Sequence, residues 1–193
     1  DKAEGRSARE SIDELAKIRR AGNRFLLARI PMTAEGTELS LVKRCRLTDG
    51  RELRAARLSG GRKNDALTTA LKHDAHLAPF LSIPSKDNGF DIEGIAAAPG
   101  GRLFLGLRGP VLDGWACILE VRVAPVLDRR GHLRLEELGS SSAATGRAVY
   151  RKHFLDLAGA GIRDLCLAGR DLLVVTGPAM RGKGQSQVRV WKN

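Results

Sequence analysis

Aromatic residues make up only 4% of this 193-residue chain. A core must therefore rest on Leu, Ile, Val and Ala, and single-stranded nucleic acid would find few rings to stack on. No apolar run approaches the roughly 20 residues that cross a bilayer as a helix, so no membrane partner is expected. The cysteines, Cys45, Cys117 and Cys166, are three, far apart, and form no CxxC pair. Neither a zinc knuckle nor a disulfide framework is indicated. Cys117 and Cys166 lie in apolar runs, where a thiol packs as a small hydrophobe, and a reducing cytoplasm suits them. Histidine is scarce as well. His73 and His76 stand i,i+3 without a third ligand at useful spacing, and read as solvated helix residues. The sequence holds no GxSxG elbow, no Walker loop and no GxGxxG after a strand. It also opens on Asp1-Lys2-Ala3-Glu4 without an initiator Met, which raises the expectation of an upstream segment.

What is plentiful is positive charge. Lys and Arg number 33 against 22 Asp and Glu, a formal +11. Such a field attracts phosphates and nucleic acid. The basic residues are spread along the chain, however, and the densest blocks are pairs such as Arg19-Arg20, Lys43-Arg44 and Arg129-Arg130. Solvated faces account for that pattern. Non-specific nucleic-acid binding follows from charge alone, and a clustered patch would be its signature.

The 42% hydrophobic share supports one folded unit. Residues 1–22 read as a helical lead-in: Ser7 and Glu10 suit a capping box, and Ile12, Leu15, Ala16 and Ile18 form a stripe. Residues 23–60 form an indistinct blade. It comprises a strand from Phe25 to Ile30, then a hairpin of Glu38–Arg46 and Arg51–Leu58 turning on Thr48-Asp49-Gly50. Residues 61–82 hold a second short helix, capped by Asn64 and running from Asp65 to Leu77, and a loop.

From residue 83 the pattern sharpens. Asp91–Ala97 reads as a strand, Pro99-Gly100-Gly101 as a turn, Arg102–Leu107 as a second strand, and Trp115–Val123 as a third. The scheme returns as Gly161–Leu167, the turn Ala168-Gly169-Arg170, Asp171–Thr176, and finally Gln187–Trp191. Both hairpins leave through Gly-Pro, at Gly109-Pro110 and Gly177-Pro178. This is an internal repeat. Residues 83–138 and 147–193 are thus two blades, with 139–146 a flexible spacer. The fold class is mostly β: a partial or complete β-propeller of repeated three- or four-stranded antiparallel blades, with two short helices in the N-terminal part. Two clear blades do not close a ring, so an upstream segment of the same protein is expected to complete it.

Long stretches resemble a bacterial family designated Domain of Unknown Function 3616. They are Ile83-Pro84-Ser85-Lys86-Asp87-Asn88-Gly89-Phe90-Asp91-Ile92-Glu93-Gly94, Leu103–Pro110, Tyr150–Leu157 and Gly161–Cys166, with Arg24–Ile30 in support. The resemblance implies a propeller-like fold, similar to phytase-like propellers, and further blade-like sequence upstream. It carries no established substrate or catalytic residue. The Gly139–Gly146 spacer departs from it, where a tighter connection is expected.

The candidate site follows from the repeat. Aligning Ile92 with Ile162 sets Glu93 beside Arg163 and Gly94 beside Asp164. Asp91, Glu93, Arg108, Arg163 and Asp164 then share one channel mouth. Oxygen ligands at Asp87, Asp91, Glu93 and Asp164 would suit a hard cation such as Ca²⁺; the alternative is an ion-pair network in which Arg163 neutralises the acids and locks blade to blade. Asp87–Glu93 is no EF-hand, since the glutamate twelve residues on is missing and a strand follows. Arg151, Lys152 and His153 form a cation-rich strand that suits an anion. Two functions remain open: a binding or scaffold protein taking a small anionic ligand or a protein partner, and a Ca-dependent phosphoester or ester hydrolase of phytase-like type.

Overall fold

The structure, a computed structural model, describes Ser7 and residues 27–61, 63–139, 148–180 and 184–192. The expected lead-in helix and most of the 139–146 spacer lie outside the described residues. The chain is mostly β, with one short α-helix among the described residues. No helix there is long and apolar enough to cross a membrane.

The strands are β1 (Ala28–Arg29), β2 (Met32–Glu35), β3 (Glu38–Leu41), β4 (Arg44–Arg46), β5 (Glu52–Arg54) and β6 (Ala56–Leu58). After helix α1 (Ala66–Ala70) come β7 (Asp91–Ala98), β8 (Arg102–Gly109), β9 (Trp115–Pro125), β10 (His132–Glu136) and β11 (Tyr150–Asp156). The chain ends on β12 (Ala160–Ala168), β13 (Asp171–Pro178) and β14 (Gln187–Trp191). A curled seven-stranded sheet, a half-barrel, runs β1-β6-β10-β9-β8-β7, with β11 also on β9. The eleven-residue β9 divides one edge between two neighbours. Trp115–Val121 pair with β11, and Arg122–Pro125 with β10. A second sheet is the meander β12-β13-β14. The result is a partial propeller-like fold.

The region expected as one indistinct blade is divided. β1 and β6 join the large sheet, while β2–β3 and β4–β5 are separate hairpins. Thr48-Asp49-Gly50 does turn the chain, closing β4 on β5, and Asp49 Oδ1 accepts the Arg51 amide at 3.0 Å. Glu38–Leu41 folds back instead onto Met32–Glu35 through Gly36, whose φ is +62°. The helix is also shorter than its apolar pattern suggests, and its cap is Asp65 rather than Asn64. Asp65 Oδ1 accepts the Thr68 amide and Thr68 Oγ1 accepts the Asp65 amide, a reciprocal capping box. The helix gives way to a 3₁₀ turn at Leu71–His73. Beyond it, Asp74 Oδ1 accepts the His76 and Leu77 amides, giving the backbone a local alternative to further helix.

β8 and β9 read as continuous apolar runs because both their faces are covered. On one face Leu105, Leu107, Cys117, Leu119 and Val121 pack with Leu58, Leu67, Leu71, Leu77 and Leu133. On the other, Phe104, Ala116 and Ile118 pack with Ile162, Leu165, Leu172 and Val174 of the second meander. Each such fully buried Leu, Ile or Phe contributes about 1.5–3 kcal/mol. Close approach of the two sheets depends on glycines in β7 and β8. A Cβ on Gly94 would lie 2.9 Å from Leu165 Cγ, and one on Gly106 would collide with Ile162 Cγ2.

Candidate functional site

Strand pairing fails at the same place in both meanders. In β7 the register jumps between Ile92 and Gly94, and in β12 between Ile162 and Asp164. Glu93 and Arg163 are therefore the extra, unpaired residues of matching β-bulges, a device that re-aims a side chain. A further shift between Asp91 and Ile92 leaves Arg108 as the extra residue of β8. All three bulged side chains meet. Arg108 Nη1 donates to Asp91 Oδ2 and to Glu93 Oε1, each at 3.1 Å, and Arg108 Nε donates to the Ala179 carbonyl at 2.9 Å. Arg163 Nη1 donates to Glu93 Oε2 at 2.6 Å. Glu93 thus holds one guanidinium on each oxygen, and the four residues sum to zero formal charge.

The neighbouring backbone fits this arrangement. Gly161, the counterpart of Asp91 in the second repeat, lies so close to Arg108 that any Cβ would collide with the Arg108 carbonyl. A Cβ on Gly177 would sit 3.1 Å from Arg163 Cγ. Glycine at these two positions leaves room for the Arg108 backbone and the Arg163 side chain, and Arg108 is buried.

Two of the expected metal ligands stand apart. Asp164 is exposed and its Oδ1 accepts the Leu165 amide at 2.8 Å. Asp87 is exposed in the 3₁₀ turn Ser85–Asp87. Asp91 and Glu93 are the pair that meets, and both face Arg108. Among the described residues no group of three or more His, Cys, Asp or Glu side chains is placed to hold a metal ion. A calcium ion at Asp91 and Glu93 would share these oxygens with two guanidiniums, so the donor set does not fit it.

The cation-rich strand divides by its period of two. Arg151 and His153 of β11 face Glu120 of β9, whereas Lys152 projects to the opposite face with Tyr150. Glu120 is buried. Its Oε2 receives Arg151 Nη1 at 3.2 Å and His153 Nε2 at 3.0 Å, and Arg102 Nη1 lies 3.4 Å from Oε1. His153 also packs at a tilt against Trp191, with ring centroids 4.8 Å apart and ring planes 54° from parallel. A lone Glu inside the apolar run Trp115–Val123 was the sequence signal for this group, since a carboxylate in a strand covered on both faces needs cationic partners.

Lys152 belongs to a second group, centred on buried Asp74. Tyr150 Oη donates to Asp74 Oδ2 at 2.7 Å, and Lys152 Nζ donates to Oδ1 at 2.8 Å. The same ammonium reaches His76 Nδ1 at 2.9 Å, so His76 is tied into a network rather than simply solvated. Burial pushes the Asp74 carboxyl upward, but hydrogen bonds from Lys152, Tyr150 and the amides of His76 and Leu77 more than offset it, leaving its pKa below the ordinary value. Burial first, and then Asp74, hold the Tyr150 phenol well above its usual range. Cys117 is pushed up to about 12, chiefly by burial, and is an inert thiol.

The searches of curated proteins and of solved structures returned no match to this chain. A family model described as "Protein of unknown function (DUF3616)" matches residues 1–193. A match over the whole sequence shows the family: the chain belongs to the DUF3616 family.

Proposed function

We propose that the chain is a binding or scaffold module that presents a rigid rim to a protein partner. One observation carries the reading: Glu93 is bonded by Arg108 on one oxygen and by Arg163 on the other. A carboxylate so engaged is a lock between two sheets. A divalent-metal hydrolase needs carboxylates open to a cation, and a small-anion site needs cationic charge in excess. Here Asp91 and Glu93 already stand against Arg108 and Arg163 one for one.

Thermal unfolding of the full-length protein with calcium or with EDTA tests this, beside Glu93→Gln and Asp91→Asn. Hydrolysis of p-nitrophenyl phosphate and p-nitrophenyl acetate is followed in parallel. The expected result is a midpoint indifferent to calcium, a lower midpoint in Glu93→Gln, and no turnover that depends on Asp91 or Glu93. A calcium-dependent rise lost in Asp91→Asn, together with phosphoester or ester turnover lost in the same variant, would overturn the binding reading in favour of the hydrolase.

A further inference from the structure

The chain contains its own standard for a complete sheet. In the first meander β7, β8 and β9 are followed by β11, which covers the outer edge of β9 from Trp115 to Val121. In the second, β12, β13 and β14 repeat the order of β7, β8 and β9, down to the bulge and the Gly-Pro exit. Nothing among the described residues takes the place beside β14 that β11 takes beside β9. The difference shows in burial. Ala116, Cys117, Ile118 and Leu119 of β9 are fully buried, whereas Val188 and Val190 of β14 are 68% and 56% exposed. An open edge bearing exposed valines is a template for another strand.

The chemistry of that strand can be read from what would face it. β14 pairs with β13 so that Arg189 lies opposite Val174 and Trp191 opposite Leu172. This inner face borders an open groove of about 310 Å³ between β14 and the end of β11, whose lining includes Phe154, Leu157, Val174, Arg189, Trp191 and one acid, Asp156, which forms no ion pair with Arg189. Arg189 is exposed there. Its Nη2 donates to Gln187 Oε1 at 3.0 Å, and no carboxylate among the described residues lies within ion-pair distance of it. Arg102, Arg108, Arg151 and Arg163, by contrast, each meet one. Val188 and Val190 present an apolar surface on the opposite face of β14.

We propose that β14 takes an extended segment of a partner protein as an added antiparallel strand, with acidic side chains directed at Arg189 and β-branched apolar ones aligned with Val188 and Val190. This rests on the binding-module reading and names the class of partner. Main-chain hydrogen bonds along the edge would supply affinity, and the alternating side chains specificity. A second copy fits poorly, because pairing β14 with itself about Arg189 sets like charges opposite each other, and each chain carries +11.

The test is fluorescence anisotropy of a labelled short peptide alternating Val and Glu, titrated with the full-length protein. The controls are the same peptide with Lys in place of Glu, and two Glu peptides N-methylated on one or the other alternate set of amides. The Glu peptide is expected to bind about tenfold or more tightly than the Lys peptide, and Arg189→Glu to reverse that order. Methylation of one amide set should abolish binding and methylation of the other should spare it. No binding, equal binding of Glu and Lys peptides, or indifference to both methylation patterns would overturn the proposal. So would a dimer, seen in sedimentation, whose formation blocks the peptide, or β14 edge amides already protected from exchange in the peptide-free full-length protein, which would show a segment of the same chain on that edge. The calcium and turnover measurements read the underlying binding function separately, so failure of one proposal is not mistaken for failure of the other.

Discussion

Gly106→Ala tests the idea that glycine sets the spacing between the two meanders. Gly106 sits in β8 facing Ile162 and Leu165 of β12, and a Cβ there would collide with Ile162 Cγ2 and lie 3.2 Å from Leu165 Cδ1. Ile162 is fully buried in a packed cluster and has no free volume to move into. Forcing a methyl into such a contact costs about 1–3 kcal/mol. Alanine returns about 0.5–1 kcal/mol, because glycine loses more backbone freedom on folding. Against a fully buried β-branched neighbour the cost lies in the upper part of that range, about 2–2.5 kcal/mol, which leaves a net of about 1–2 kcal/mol of destabilisation. For a domain of this size that lowers the thermal midpoint by about 2–8 °C, which circular dichroism or calorimetry measures. The double variant with Ile162→Ala gives the sharper reading. Ile162→Ala alone costs about 2–5 kcal/mol, but it removes the Cγ2 that the new methyl strikes. At least about 1 kcal/mol of the Gly106→Ala cost should vanish in that background. An unchanged or raised midpoint, or an equal cost in both backgrounds, would refute the spacing argument.

Asp74→Asn removes the anion that Lys152 and Tyr150 share and should cost about 1.5–3 kcal/mol at neutral pH by chemical denaturation. Because the folded-state pKa of Asp74 is depressed, its contribution is fully present above the unfolded carboxylate value of about 3.9 and is lost as pH falls through the lower folded value. Wild type and variant should therefore converge in stability at strongly acid pH, and a difference independent of pH would count against the pairing. Thiol titration under native conditions should label exposed Cys166 rapidly and leave Cys117 unreactive until denaturant is added. Prompt native labelling of Cys117 would show that the core formed by Leu105, Leu107, Leu119 and their partners is open.

The two meanders were legible because their strands are long and end in strong turn chemistry. Gly100 and Gly169 adopt φ of +75° and +64°, as such turns require, and Asn88 takes the left-handed conformation with φ of 63°. Aligning Ile92 with Ile162 was enough to set Glu93 beside Arg163, since a repeat carries side-chain positions as well as strand order. The N-terminal half was harder. Its strands are two to four residues long, and a two-residue strand such as β1 has no period to detect. β6 pairs with β10 in parallel, joining Arg57 to His132 and Leu58 to Leu133, a partnership that local pattern does not disclose. The Asp74 and Glu120 groups were missed for a related reason. Lys152 lies 78 residues from Asp74, and Arg151 lies 31 from Glu120. Read as consecutive letters, Arg151, Lys152 and His153 make one cationic run; on a pleated strand they serve two faces.

The shared edge of β9 has a consequence for how the molecule comes apart. β7, β8 and β9 are joined by short connections, so their pairing closes small loops and costs little entropy. Among the described residues β10, β6 and β1 pair with the rest of the sheet through Arg122–Pro125, the last stretch of β9, and β6 reaches that wing across more than seventy residues of chain. Opening of that wing would release β10, β6 and β1 together while β11 stays paired to Trp115–Val121. Amide hydrogens should therefore exchange in two tiers, with β1 and β6 opening sub-globally and the centre of β8 and β9 exchanging only when the whole chain unfolds. One long strand thus divides the chain into two cooperative units with a common spine.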